Sequence, residues 1–169
     1  QAPELERYSR KHLRWIMSGA APVPASLISA YADIGIPINE AFGMTETCGP
    51  ACLLRGTDVA DHPASCGKAF FHTDIRVVDE NGSDVRPGEP GEILVRGRHV
   101  MKEYWNNPTA TKDSLRDGWL HSGDVATIDE DGFIYIKDRL TDMIISGGEN
   151  VYPAEVENVI LAHEKVRDV

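Results

Sequence analysis

The run AFGMTE at 41–46 gathers a flat ring, a bare backbone position, a hydroxyl and a carboxylate within six residues. Phe42 could stack on a planar ligand, and Gly43 lets a ligand approach the main chain closely. Thr45 offers a hydroxyl, and Glu46 a hard oxygen of the kind Mg²⁺ takes. Together these groups could grip a nucleotide. The same residues also suit a structural role, with Phe42 in the core, Gly43 in a turn and Thr45 as an N-cap.

Three later runs could add to such a site. GWLHSGD at 118–124 puts Asp124 at the end of a tight Ser122-Gly123 turn, where a carboxylate can accept two hydrogen bonds from the adjacent hydroxyls of a ribose. Asp after Gly is also an ordinary turn residue. IKDRL at 136–140 ends a strand on Arg139, whose fixed fork could donate to ribose or phosphate oxygens, or form an interdomain salt bridge. ISGGEN at 145–150 reads as a glycine-rich loop whose backbone could pass close to a bound chain or anion, although it lacks the lysine of a GxxxxGK[ST] phosphate loop.

The elements that must position these residues change in texture along the chain. Residues 3–12 carry a helical pattern, LRWIM at 13–17 is a short apolar strand, and Pro24 opens a helix through Ala32 that Gly35 ends. IPINEAF follows as another strand, so helix and strand alternate and a parallel sheet is expected, with GMTET as the strand-to-loop exit. From about 66 to 137 the runs DIRVVD, EILVRG, DVATID and FIYIKD alternate in the period of strands, and Asn81-Gly82 and Asp131-Gly132 read as hairpin turns. One helix interrupts them, with Asn107 as N-cap, Pro108 in its first turn and an end near Leu115. A strand DMIIS, the loop GGEN and a helix from Pro153 to about His163 complete the chain.

The fold class expected is therefore α/β plus antiparallel β. It comprises the end of a parallel α/β sheet subdomain at 1–50, a β-barrel-like antiparallel subdomain at 51–139, and the start of a small α+β domain at 140–169. Two strands and one helix cannot cover both faces of a parallel sheet, and about thirty residues cannot form a core alone, so the chain is expected to begin and end inside larger folds.

Bulk properties narrow the classes of function. The 169 residues carry a net charge of −10 without a basic stripe, which disfavours nucleic acid and anionic membranes as partners. A bound polyphosphate would need a metal ion or local cations to offset that charge. No apolar run is long enough to span a bilayer, and QAPELERYSRKH lacks the apolar core of a signal peptide. The three cysteines Cys48, Cys52 and Cys66 match no zinc spacing. Buried reduced thiols in a cytoplasmic setting are expected rather than a Cys48/Cys52 metal site.

Taken in order, AFGMTE, GEILVRG, GWLHSGD, KDR and IISGGENVYPAEVE resemble the AMP-binding acyl-CoA synthetases over nearly the whole chain, and SGAAP at 18–22 is similar to that family's adenine-side loop. The resemblance implies that Ala20 and Ala21 flank the adenine, that Phe42 stacks on it beside Gly43, and that Thr45 contacts the α-phosphate. It further implies that Glu46 helps hold Mg²⁺, with Thr45 and Glu46 as the catalytic pair, and that Asp124 and Arg139 bind the ribose hydroxyls. Position 141 would be the interdomain hinge, and Gly147, Gly148 and Asn150 would lie along the path of coenzyme A. Two residues depart from the family pattern, Ala41 where glycine is usual and Thr141 where Asp or Lys is common.

The activity so implied is AMP-forming ligation. A carboxylic acid, fatty or aromatic rather than an amino acid from the wording of the last motif and expected to be fatty, attacks the α-phosphorus of ATP, and the thiol of coenzyme A then displaces AMP. An adenylation domain loading a carrier protein and a non-catalytic nucleotide-binding domain are the alternatives. The family's Ser/Thr/Gly-rich phosphate loop and C-terminal lysine lie outside these residues, so the segment alone is expected to make no acyl-adenylate.

Overall fold

Gly35 sets the first crossover of the chain. In the computed structural model, which describes residues 11–20, 23, 25–147, 149–161, 163, 165 and 166, helix α1 (Ala25–Ala32) ends where Gly35 adopts φ +76°. There the Gly35 amide donates to Ala32 O at 2.9 Å and Ile36 N to Tyr31 O at 3.0 Å, a left-handed cap that a side chain would strain. The crossover joins β1 (Ile16–Gly19) to β2 (Ile38–Met44) in parallel register, with Ile28, Ile36 and Ile38 buried. The helical pattern at 3–12 and Pro24 lie outside the described residues, apart from 11 and 12, which form a turn.

The expected parallel sheet stops there. β3 (Gly49–Leu54) runs antiparallel to β2, and β4 (Lys68–Ala69) antiparallel to β3, giving a mixed sheet in the order β1-β2-β3-β4. The reason is chain length. Only a 3-10 turn, Thr45–Thr47, and Cys48 at φ +52° separate β2 from β3, whereas a parallel return needs a crossover of about a dozen residues or more. Thr47 holds this reversal from a fully buried position: its Oγ1 accepts Met44 N at 3.0 Å and lies 2.9 Å from Met44 O and 2.6 Å from Gly49 O.

The second sheet is antiparallel and half-barrel-like. It contains β5 (Thr73–Val78), β6 (Gly91–Gly97), β7 (Leu115–Arg116), β8 (Trp119–Ile128) and β9 (Ile134–Arg139), with order β5-β6-β8-β7 and β9 also paired to β8. Helix α2 (Pro108–Ser114) begins at Asn107, whose Oδ1 accepts Ala110 N at 3.1 Å. At Asp131-Gly132 the chain turns as its sequence predicts, Gly132 at φ +85° and Gly132 N donating to Asp129 O at 3.1 Å. β8 is longer than DVATID suggests, because it takes in the tail of GWLHSGD.

Inward side chains of the two sheets make one apolar body. Cys52 of β3 is buried with Val77, Ile93, Ala126 and Ile134, and Ala51 with Val95 and Leu120. Main-chain bonds sew the layers together: Cys66 N to Ile134 O at 2.8 Å and Ile134 N to Gly67 O at 3.0 Å. At Gly67, φ +88°, a Cβ would run into the backbone of Leu53, so no larger residue allows this approach.

The last segment is a hairpin and a helix. β10 (Ile144–Ser146) pairs antiparallel with β11 (Glu149–Val151), so Glu149 and Asn150 of the expected GGEN loop belong to a strand. Four residues from Ser146 to Glu149 suffice for a tight turn, with Gly147 at φ +62°. Helix α3 (Pro153–Leu161) ends before His163 and docks on β9 through Ala154 N to Asp138 Oδ2 at 3.0 Å and Lys137 Nζ to Glu155 Oε1 at 3.3 Å. Among the described residues no helix is long and apolar enough to cross a membrane.

Candidate functional site

The site begins where β1 meets β2. Gly19 pairs with Ala41, and a Cβ on Gly19 would stand 2.6 Å from Ala41 O, so the two chains close tightly just before Ala20 and Phe42. Ala20 has φ +71°, a conformation that non-glycine residues rarely adopt and that is found preferentially at functional sites. Ala21 lies outside the described residues.

Phe42 is half-buried and packs against both apolar clusters, which include Leu120 and Ala126 of β8. Much of its ring therefore serves the core, as the structural reading of AFGMTE has it. A register shift separates Phe42 from Gly43, and a Cβ on Gly43 would collide with Gly49 O. The absent side chain is thus required by β3. Thr45 is exposed and lies inside the 3-10 turn, whose N-cap is Met44, so Thr45 is not the cap.

Glu46 is half-buried and tied down from two directions. Its carbonyl accepts Met101 N at 2.7 Å, and its Oε1 accepts the hydroxyl of Tyr104 at 2.7 Å. That hydrogen bond and burial raise the pKa of Tyr104, which therefore stays a donor at neutral pH. Only one oxygen of the Glu46 carboxylate is engaged among the described residues. Tyr104 is a partner the sequence reading missed. It lies 58 positions downstream, and no local pattern links the two.

Asp124 and Arg139 are neighbours across β8 and β9, facing each other in register with Nε 3.2 Å from Oδ1. The carboxylate is nearly buried and the guanidinium mostly exposed, at 10% and 64%. The ion pair lies within one sheet, rather than between domains. Burial raises the pKa of Asp124, Arg139 lowers it, and Glu92 adds a raising contribution.

Ser122, Gly123 and Asp124 do not form the expected free turn. They form a bulge inside β8, Gly123 at φ +75°, with Ser122 Oγ donating to Ile93 O at 2.8 Å and accepting Asp124 N at 3.0 Å. On the outer side, Glu92 Oε1 accepts Gly123 N at 3.1 Å and Oε2 lies 2.7 Å from His121 Nδ1. Leu140 N donates to Gly123 O at 2.8 Å. Glu92 and His121 were present in GEILVRG and GWLHSGD, but regular strand alternation does not foretell a bulge.

Asn150 borders a groove of about 680 Å³ that is also lined by Trp119, His121, Leu140 and Met143. Gly147 sits at the tip of the β10–β11 hairpin, and Gly148 lies outside the described residues. Thr141 is in an exposed turn just after β9. No group of three or more His, Cys, Asp or Glu among the described residues could hold a metal by itself. The cysteines divide: Cys48 is exposed, Cys52 buried and Cys66 half-buried, so the expectation of buried thiols fails at the reversal that lifts Cys48 outward.

Comparison with known proteins gives this arrangement a lineage. The feruloyl-CoA synthase of Amycolatopsis sp is 51% identical over 91% of this chain and 31% of its own length. The long-chain-fatty-acid–CoA ligase FadD13 of Mycobacterium tuberculosis is 43% identical over all of this chain and 33% of its own. Among solved structures, o-succinylbenzoate CoA synthetase from Bacillus subtilis, in complex with its acyl-adenylate intermediate, superposes with a TM-score of 0.92 at 40% identity, covering 97% of this chain and 34% of that one. The chain thus spans about a third of the length of these relatives. A family model described as AMP-binding enzyme matches residues 1–105, and the chain belongs to that family.

Proposed function

We propose that this chain is the adenosine-holding part of an AMP-forming acid–thiol ligase, spanning the end of an α/β subdomain, an antiparallel subdomain and the start of a mobile C-terminal domain. The observation that carries the reading is the Asp124–Arg139 pair: a nearly buried carboxylate beside an exposed guanidinium, on a bulge that fixes its direction. A ribose offers two adjacent hydroxyls. Asp124 would accept both, and Arg139 would donate to an oxygen of the same sugar. The likeness to a relative solved with its acyl-adenylate, and of the same enzyme with ATP and magnesium ion, supports this.

At the other end of the nucleotide, exposed Thr45 would donate its hydroxyl to the α-phosphate, while Ala20 and the free face of Phe42 would border the adenine. Glu46 fits Mg²⁺, which commonly takes one or two carboxylates and completes its shell with phosphate oxygens and water. When bound, the ion would neutralise phosphate charge. Glu46 needs no other carboxylate for this, and Tyr104 fixes its orientation from the opposite oxygen. Gly147, Gly148 and Asn150 are assigned to the path of coenzyme A.

The acid is assigned as an aryl or fatty carboxylic acid, with the aryl class first. The 51% identity to a feruloyl-CoA synthase and the likeness to o-succinylbenzoate ligases favour it over the fatty class, which the FadD13 relationship supports. A cytoplasmic setting goes with three free thiols. Titration of the full-length protein with AMP and with ATP-Mg tests the nucleotide reading. Asp124→Ala should weaken both by about tenfold or more, as expected for losing a charged hydrogen-bond acceptor; unchanged binding would sink the assignment. Coenzyme A-dependent AMP formation across a panel of aryl and fatty acids ranks the two classes.

A further inference from the structure

The bulge that carries Asp124 leaves the Gly123 and Asp124 amides to side-chain acceptors, Glu92 Oε1 and Ser122 Oγ. Leu94 pairs with His121 and Glu92 with Val125, so two steps along β6 (92 to 94) match four along β8 (121 to 125), and the surplus falls on Ser122–Asp124. A bulged residue is unpaired by the strand opposite, and a half-buried amide needs a partner from elsewhere.

We propose that Glu92 is the positioning residue for the ribose-binding carboxylate Asp124, acting through the main chain at Gly123; the inference rests on the nucleotide reading above. Both oxygens of Glu92 are committed. Oε1 accepts the orphaned Gly123 N–H at 3.1 Å and Oε2 takes His121 Nδ1 at 2.7 Å, with Arg116 Nη2 further out at 4.0 Å. Its side chain is 19% exposed, so solvent does little to loosen the arrangement.

Gly123 is then held on both sides, its N–H, in the peptide from Ser122, by Glu92 and its carbonyl, in the peptide to Asp124, by Leu140 N at 2.8 Å. Ser122 Oγ pins the preceding residue to Ile93 O. Asp124 follows directly, and its direction is set by the two peptide planes that meet at the Gly123 Cα, one fixed by Glu92 and the other by Leu140 N. The arrangement has an electrostatic cost, because the Glu92 charge opposes ionisation of Asp124. A carboxylate that only filled space would be better replaced by an uncharged residue. Two donors converging on it, the Gly123 amide and the His121 ring, account for a group that only accepts.

The test compares ATP with 2′-deoxyATP and 3′-deoxyATP on the full-length protein, using Glu92→Ala, Glu92→Asp, Glu92→Gln and Asp124→Ala. Glu92→Ala should raise the KM for ATP about tenfold, shrink the preference for ATP over the deoxy analogues, and leave the KM for the acid unchanged. Glu92→Asp, one methylene too short to reach both donors, should behave similarly. Glu92→Gln keeps an oxygen for Gly123 N–H and can donate to a neutral His121, so it should retain most of the preference.

Glu92→Ala with parental sugar preference and only a lower Tm would overturn the proposal. Should the Ala variant not fold, Asp and Gln decide: equal and parental preferences in both overturn it. Asp124→Ala separates the two readings. If it leaves sugar preference intact, the ribose assignment itself fails; if it abolishes the preference while the Glu92 variants do not, only the role of Glu92 falls.

Discussion

The antiparallel sheet and the segment after Arg139 are built from similar residues and use them differently. In the sheet, Ile93 and Val95 are fully buried and Leu120 is 1% exposed, whereas Ile144 and Ile145 of the hairpin are 53% and 71% exposed and Val159 of α3 is 74% exposed. The sheet is held by apolar packing across two layers. The C-terminal segment is held to it by polar ties: Leu140 N on Gly123 O, Ala154 N on Asp138, and Lys137 on Glu155. Burial stabilises at roughly 25 cal/mol per Å², while an exposed ion pair contributes about 1 kcal/mol or less. Asp124 and Arg139 therefore sit on the firm part, one residue from the loosely fastened part.

The contrast breaks most visibly in the core. Ile93→Ala should cost about 2–5 kcal/mol in denaturant unfolding, while Ile145→Ala on the hairpin should stay within about 0.5 kcal/mol. Equal losses would erase the distinction. Thr47→Val, which removes the hydroxyl that closes β2 onto β3, should cost about 1–3 kcal/mol by the same measurement, because it strands buried main-chain groups.

Asp138→Ala removes the acceptor at the start of α3, along with that of Arg139 N at the end of β9, and should cost about 1 kcal/mol, felt chiefly in that helix. Faster amide exchange in α3 with unchanged exchange in β6 and β8 would sharpen the comparison; a uniform rise would contradict it. The smallest effect is expected at Asp124. Its pKa is raised by burial, so its favourable contribution to folding is present below its ordinary value near 3.8 and is lost as pH rises through the folded value. Asp124→Asn should therefore raise stability by a few tenths of a kcal/mol at pH 7, after screening by solvent and loss of the Arg139 pair, while weakening nucleotide binding. No gain at pH 7, or a larger gain at pH 3 than at pH 7, would refute that sign.

Local chemistry was the legible part. Asn107 and Pro108 announce α2 because a cap and a fixed φ act within four residues, and Asp131-Gly132 marks its turn for a similar reason. GWLHSGD and KDR singled out Asp124 and Arg139, and the strand register sets them side by side. The hidden features depend on counting residues between distant strands. The return of β3 antiparallel to β2 follows from a short link that looks like any loop exit. The two-residue surplus in β8, and with it the engagement of Glu92, exists only once β6 is laid alongside. Glu46 and Tyr104 likewise meet through the tertiary fold alone.

The reversal at Thr45–Thr47 also gives the chain a built-in chemical handle. It leaves Cys48 exposed two positions after Glu46, while Cys52 is buried and Cys66 is half-buried with its thiol held well above its ordinary pKa by its hydrogen bond to Cys52 and by burial. Of this chain's three thiols, Cys48 is the one a maleimide dye reaches first. Fluorescence at that single position would then report events at the neighbouring carboxylate without any substitution in the sequence.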